Sequence, residues 1–190
     1  REKRDDALLN QTNQLLSEIL ALDPNNAQGL NARVNLALWS DKPREAREGA
    51  LKVVAVYPNE GTSYYSLAVT DWSIAFPAVM KARKAAGLRP GDASFIPDAS
   101  ARQALRNEYG AVIDEGLRML ESSIKIDPNY SDAMAYMSLL YRLKAFMAEN
   151  AGESTVELTE AEEWVAKSLA AKKKDGSIAS PLDPPAPPNR

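Results

Sequence analysis

The chain has 190 residues, a net charge of −3, 45% apolar and 26% charged residues, and neither cysteine nor histidine. That length and balance suit one globular domain with a sizeable core, and the charge implies no general attraction to nucleic acid or a membrane surface. The missing residue types exclude disulfides, thiolate or histidine metal sites, Ser-His-Asp triads and Cys-His pairs, and no run of 18 apolar residues marks a membrane span.

The lack of cysteine leaves the compartment open, cytoplasmic or exported. The sequence begins at Arg1 without Met and reads as a fragment or a processed product, so any export signal would lie upstream.

Residues 5–22 predict a helix with an apolar stripe of Leu8, Leu9, Leu15, Leu16, Ile19, Leu20 and Leu22. It ends at the phrase Leu22-Asp23-Pro24-Asn25-Asn26. By phase it is the second helix of a pair, so its first helix either lies upstream or is replaced by another molecule. Helices are expected over 27–40 and 43–56. Asn25 or Asn26 caps the first, and Pro43 suits the first turn of the second. The pair closes on Val56-Tyr57-Pro58-Asn59-Glu60.

A third unit opens at Thr62. Pro77 is expected to kink or restart its helix, which continues to about Ala86. Residues 87–99 carry Gly87, Pro90, Gly91 and Pro97 and read as a loop, with Phe95 and Ile96 as anchors. Ser100 with Gln103 forms a capping-box signature ahead of a long helix over 101–126. This unit closes on Ile126-Asp127-Pro128-Asn129-Tyr130. A helix runs from Ser131 to about Glu149, residues 150–158 read as a loop, and Thr159 with Glu162 caps a last helix over 159–174. Residues 177–190 include Pro181, Pro184, Pro185, Pro187 and Pro188. They read as a linker or as an extended polyproline II ligand for a proline-reading domain.

Pro24 and Pro58 are 34 residues apart, and Pro128 lies 70 further on. One pattern precedes each: Thr12, Leu16, Ile19; then Ala46, Ala50, Val53; then Gly116, Leu120, Ser123. A fourth copy is Ala161, Val165, Ser168, with Lys173 where the proline would stand. Steps of four and three put these side chains on one helix face, small residues let another helix approach, and proline stops the helix.

This period and pattern resemble the tetratricopeptide repeat (TPR) family over about residues 5–174. The first helices match more loosely, through Leu30, Arg33, Val34, Ala37; Tyr64, Leu67, Ala68, Asp71; and Met134, Met137, Ser138, Tyr141. Arg33 and Asp71 stand at usually apolar positions. The resemblance implies an all-α fold over 1–176, with antiparallel hairpins stacked as a TPR-like right-handed α-solenoid. Its units would be a half repeat at 5–26, a full repeat at 27–60, an elongated hairpin at 61–130 and a last pair at 131–174. The elongation is an insertion of 36 residues, centred on about 77–100. The stretch DWSIAFPAVMKARKAAGLRP also resembles bacterial TPR proteins in which this hairpin is long, a likeness that carries no activity.

No catalytic constellation emerges from the residues. Glu162/Glu163 and Asp5/Asp6 are adjacent on helices and point apart. The nine glycines never form a phosphate-binding loop, and Asp92 and Asp98 are too sparse for calcium. Asp71 beside Trp72 reads either as a buried acid with a role or as a polar residue bonded to a neighbouring helix. No cofactor or metal is expected, and the chain reads as non-enzymatic.

The resemblance implies that partner segments lie on a concave face lined by first helices. Positions in its groove-facing phase are Gln28, Asn31, Asn35, Trp39, Tyr65, Val69, Trp72, Asp132, Ala135, Leu139 and Arg142. Asparagine amides pair with both groups of an extended backbone, and Trp and Tyr are favoured anchors. Asn31, Asn35, Trp39, Tyr65, Trp72 and Arg142 are therefore the candidate partner-binding residues for a protein or peptide. Against this stands plain packing of the aromatics between helices, with solvated asparagines. The cations with which some TPR modules clamp a chaperone's C-terminal carboxylate are missing, since Asn31, Asn35, Ser66, Asp132 and Tyr136 hold the matching places. A second reading is an assembly subunit that forms a homodimer through the end repeat or the elongated hairpin.

Overall fold

The computed structural model describes residues 6–174, with the side chain of Asp6 left aside. The expected Pro-rich tail lies outside the described residues. Those residues form seven helices: α1 (Asp6–Leu22), α2 (Ala27–Trp39), α3 (Pro43–Val56), α4 (Gly61–Ala85), α5 (Ala99–Ile126), α6 (Ser131–Phe146) and α7 (Ala151–Lys174). Helices α2–α3, α4–α5 and α6–α7 pair as hairpins, and α1 packs on α2. Each hairpin joins the next through its second helix (α3 on α4, α5 on α6), and α4 also touches both α2 and α6.

The repeated phrase does the turning. In its first and third copies the aspartate closes an Asx turn, accepting from the backbone N–H of Asn25 at 3.2 Å and of Asn129 at 2.9 Å. Asn26 then caps α2 by accepting from Gly29 N–H at 2.9 Å. The second copy has Tyr57 in place of aspartate, and its hydroxyl reaches back to the carbonyl of Asn25 in the preceding turn.

The repeat positions fall in the core as the spacing requires. Ala46, Ala50 and Val53 of α3 are wholly buried, as are Leu120 and Ser123 of α5, and Gly116 is buried with them. A β-carbon on Gly116 would stand 2.9 Å from Leu140 Cδ1 and 3.3 Å from Asp71 Cβ, so glycine sets how closely α4, α5 and α6 approach. Two apolar clusters result. One gathers Leu30, Val34, Ala37, Ala46, Ala50, Val53 and Leu67; the larger runs through α4–α7. The pattern is incomplete at the two end helices. Ile19 and Val165 occupy inward positions by spacing but are 42% and 36% exposed, because no further hairpin among the described residues covers them.

Three expectations need correction. Helix α4 does not restart at Pro77. It is one helix from Gly61 to Ala85, and Pro77 sits on its exposed side, where solvent can serve the carbonyl left without a donor. It stops at Gly87, whose φ of 75° suits a residue without a β-carbon. Helix α5 is capped by Asp98, which accepts from Ser100 N–H at 2.9 Å, so Ser100 is the bonded donor and not the cap. The stretch 150–158 is helical except for Asn150 itself. Asn150 accepts from Glu153 N–H at 3.0 Å while Glu153 accepts from Glu149 N–H at 2.7 Å. That reciprocal cap starts α7 at Ala151. Thr159 lies mid-helix, its hydroxyl donating to the Thr155 carbonyl.

The insertion lengthens both helices of the third hairpin, to 25 and 28 residues, or roughly 38 and 42 Å at 1.5 Å per residue. Its loop is fastened by arginines. Arg83 is wholly buried, donates to the carbonyls of Asp92 and Ser94, and lies 3.6 Å over the Phe146 ring. Arg102 donates to the carbonyls of Ile96, Pro97 and Glu149, and Arg106 to that of Met147. The Ile96 N–H bonds to the Phe146 carbonyl at 3.0 Å. The loop of the third hairpin and the turn of the fourth are therefore one hydrogen-bonded unit. Ile96 is buried as an anchor, and Phe95 lies half-buried with its ring 4.9 Å from the Arg102 guanidinium.

Candidate functional site

The first helices α2, α4 and α6 carry the residues in groove-facing phase. On α4, Tyr65, Trp72 and Phe76 are spaced by seven and four and so share a face. On α6, Tyr136 meets them. Tyr65 and Tyr136 stand edge to face with ring centroids 5.4 Å apart, Trp72 and Tyr136 likewise at 5.7 Å, and Trp72 stacks on Phe76 at 4.4 Å. Tyr130, from the turn before α6, lies 5.0 Å from Tyr65. These geometries are the favourable ones for aromatic pairs.

All five rings are half-buried against the larger core. Packing and exposure coexist here. The hydroxyls of Tyr65, Tyr130 and Tyr136 and the indole N–H of Trp72 have no hydrogen-bond partner among the described residues. None of the four is among the buried polar atoms left unsatisfied, so they reach solvent. Partial burial pushes Tyr136 above the usual tyrosine range and Tyr130 up to about 12, with the nearby Asp132 carboxylate adding to both. The hydroxyls are thus protonated donors at neutral pH.

The other candidates stand apart from this cluster. Asn31 donates to the Ala27 carbonyl at 3.0 Å, which uses part of its amide within α2. Asn35 is exposed, and Trp39 is 57% exposed at the end of α2 rather than packed between helices. Arg142 is exposed on α6 and forms no ion pair among the described residues. Sequence reasoning did not nominate Tyr136, Tyr130 or Phe76 as partners of Tyr65 and Trp72. The signal available was the four-residue step from Trp72 to Phe76 and the density of tyrosine around Pro128.

Asp71 is wholly buried and bonded to a neighbouring helix. Its Oδ1 accepts from Arg47 Nε of α3 at 2.7 Å, and Arg47 also pairs with Glu115 of α5. Asp71 Oδ2 has no partner. Burial pushes this carboxyl up to about 7, against the pull of Arg47. The arrangement ties three helices together at the place where Gly116 makes room, and the acid is wholly shielded from solvent. Among the described residues no cluster of three or more acidic side chains could hold a metal ion. No described helix is long and apolar enough to cross a membrane.

No family model and no curated protein matches the chain. Solved structures similar to it include two of MamA. Both are 21% identical; one covers 86% of this chain and 88% of its own with a TM-score of 0.31, the other 96% and 93% with a TM-score of 0.34. Another is YrrB, described as a TPR protein with an unusual peptide-binding site. It is 22% identical and covers 88% of this chain and 86% of its own, with a TM-score of 0.32. Likenesses of this size bear on neither site nor partner. The hairpin pairing and the buried repeat positions decide the fold. The chain has a TPR-like fold. Within it, the TPR-like first helices α2, α4 and α6 carry every residue singled out for binding, together with the aromatic cluster except Tyr130, which the turn before α6 supplies.

Proposed function

We propose that this chain is a non-catalytic protein-interaction module that holds an extended protein segment against its first helices. The observation that carries the reading is the Tyr65–Trp72–Tyr136 cluster, which offers aromatic surface and solvent-reaching donors together. Asn35 and Trp39 of α2 and Arg142 of α6 offer further exposed polar and aromatic groups on the same set of first helices. Aromatic anchors that carry donors, with an exposed amide elsewhere on the first helices, suit a backbone that presents carbonyls.

Affinity capture from the native source, read by mass spectrometry, tests this with wild type against an Asn35→Ala/Trp72→Phe double variant. Both substitutions keep the fold's apolar contacts, and matched urea midpoints would verify that. A partner held by wild type and lost by the variant is the expected result. A partner retained equally by both would move the site off the first helices.

A self-assembling subunit is the second reading. Its support is the exposed apolar surface at the two ends, through Leu15, Ile19 and Leu22 of α1 and Val156, Val165 and Leu169 of α7. Light scattering across a concentration series separates the two: a mass that doubles with concentration favours assembly, a constant monomer mass excludes it.

A further inference from the structure

The aromatic face has a fitting occupant within the chain's own sequence. Proline-rich segments in the polyproline II form have no internal hydrogen bonds, and their carbonyls point outward as acceptors. Surfaces that read them combine flat aromatic rings with a few donors such as tyrosine hydroxyl and tryptophan N–H. Tyr65, Trp72, Tyr130 and Tyr136 present half-buried rings together with a hydroxyl or indole N–H that has no hydrogen-bond partner among the described residues.

The sequence places such a segment within reach. Helix α7 runs back alongside α6, so its last turns lie at the start of α6. Ser168 donates to the Ser131 carbonyl at 2.8 Å, and Lys172 pairs with Asp132 at 3.5 Å. Asp132 lies one turn from Tyr136 on the same face of α6 and close enough to influence Tyr65, Tyr130 and Tyr136 electrostatically. The chain therefore leaves α7 beside the aromatic cluster. Six residues separate Lys174 from Pro181, seven steps that span at most roughly 25 Å. Residues 181–188, PLDPPAPP, would extend roughly 25 Å as polyproline II. Tyr65 to Phe76 covers roughly 16 Å along α4. Length, point of departure and chemistry agree.

We infer that the Tyr65–Trp72–Tyr136 face is a polyproline-reading surface and that residues 181–188 of the same chain occupy it. The inference rests on the first-helix reading above and names the class of segment that surface takes. An external partner would then compete with the tail, and removing the tail prolines would tighten partner binding several-fold.

The chain has no cysteine, so Ala186→Cys in the full chain accepts one nitroxide label at a single position. Amide NMR signals are compared with the label oxidised and reduced. The expected result is loss of at least half the signal intensity over residues 65–76 and 130–139, with residues 28–39 unaffected. A tether alone brings the label near, so the same labelled chain carrying Pro184→Ser, Pro185→Ser, Pro187→Ser and Pro188→Ser is the control. It should recover the intensity. Broadening that survives in the serine chain, or never appears, overturns the inference. Broadening seen only when isotope-labelled chain is mixed with spin-labelled chain means that a second copy supplies the tail, which also overturns own-chain docking. Failure here with partner capture still sensitive to Asn35→Ala/Trp72→Phe removes only the tail as occupant. Partner capture insensitive to that double variant removes the reading beneath it.

Discussion

The α2–α3 and α4–α5 hairpins share one sequence pattern but are held in different ways. In the first, a short turn joins two helices of 13 and 14 residues, and small and branched apolar side chains fill the space between them. In the second, helices of 25 and 28 residues run past the standard length, and the added part is held by buried arginines that bond backbone carbonyls. Small apolar contacts suffice where two helices meet over three turns. A loop with few backbone partners of its own needs donors brought to it, because each buried carbonyl left unmet costs about 1–3 kcal/mol. The arginine clamp also reaches the turn of the fourth hairpin. The elongation therefore couples two repeats instead of hanging from one.

The sharpest way to break this contrast is Arg83→Met. It keeps the apolar stem but leaves the carbonyls of Asp92 and Ser94 unmet and removes the stack on Phe146. We expect a loss of about 3 kcal/mol in urea unfolding. A loss below about 0.5 kcal/mol, the range of ordinary surface changes, would show that the clamp is ornamental.

Gly116→Ala should cost about 1–3 kcal/mol, since its β-carbon meets Leu140 at 2.9 Å. Gly110→Ala, six residues earlier in the same helix with nothing within 4 Å, should instead gain about 0.5–1 kcal/mol. Equal effects would mean that α5 does not lie against α4 and α6 as described.

Asp71 gives a pH signature. Its folded pKa is raised above the ordinary 3.8 to about 7, so the folded state binds the proton more tightly. The stabilisation from that proton is complete below about pH 4 and is lost as pH rises through about 7. The stability of wild type minus that of Asp71→Asn should therefore fall across that window. A flat difference would mean that Arg47 keeps the carboxylate ionised throughout.

The smallest effects test the start of α7. Asn150→Ala should cost about 1 kcal/mol as the loss of a cap. Thr159→Ala, mid-helix and exposed, should change stability by less than about 0.5 kcal/mol. The reverse order would restore Thr159 as the first residue of that helix.

Much of this protein was determined by local sequence. The 34-residue spacing, the Asp-Pro-Asn turns and the four-and-three steps of small residues specify where helices stop and which faces meet, because each acts within one or two helical turns. That is why Ala46, Ala50, Val53, Leu120 and Ser123 were legible as core. Three local readings misled. Residues 150–158 read as a loop until Asn150 and Glu153 complete a cap, Ser100 reads as a cap until its N–H is seen to serve Asp98, and Pro77 reads as a possible restart until its exposed side is known. What only the tertiary structure decided involves groups distant in sequence. Nothing local marks Arg83 and Arg102 as buried; they are so because they meet carbonyls of the loop and, for Arg102, of Glu149. Asp71 reads as an anomaly until Arg47 reaches it from the preceding hairpin. Tyr136 joins Tyr65 and Trp72 from 71 and 64 residues away. Periodicity along one helix records which side is buried. The partner on that side, and so the chemistry of the surface, is set by how the hairpins stack.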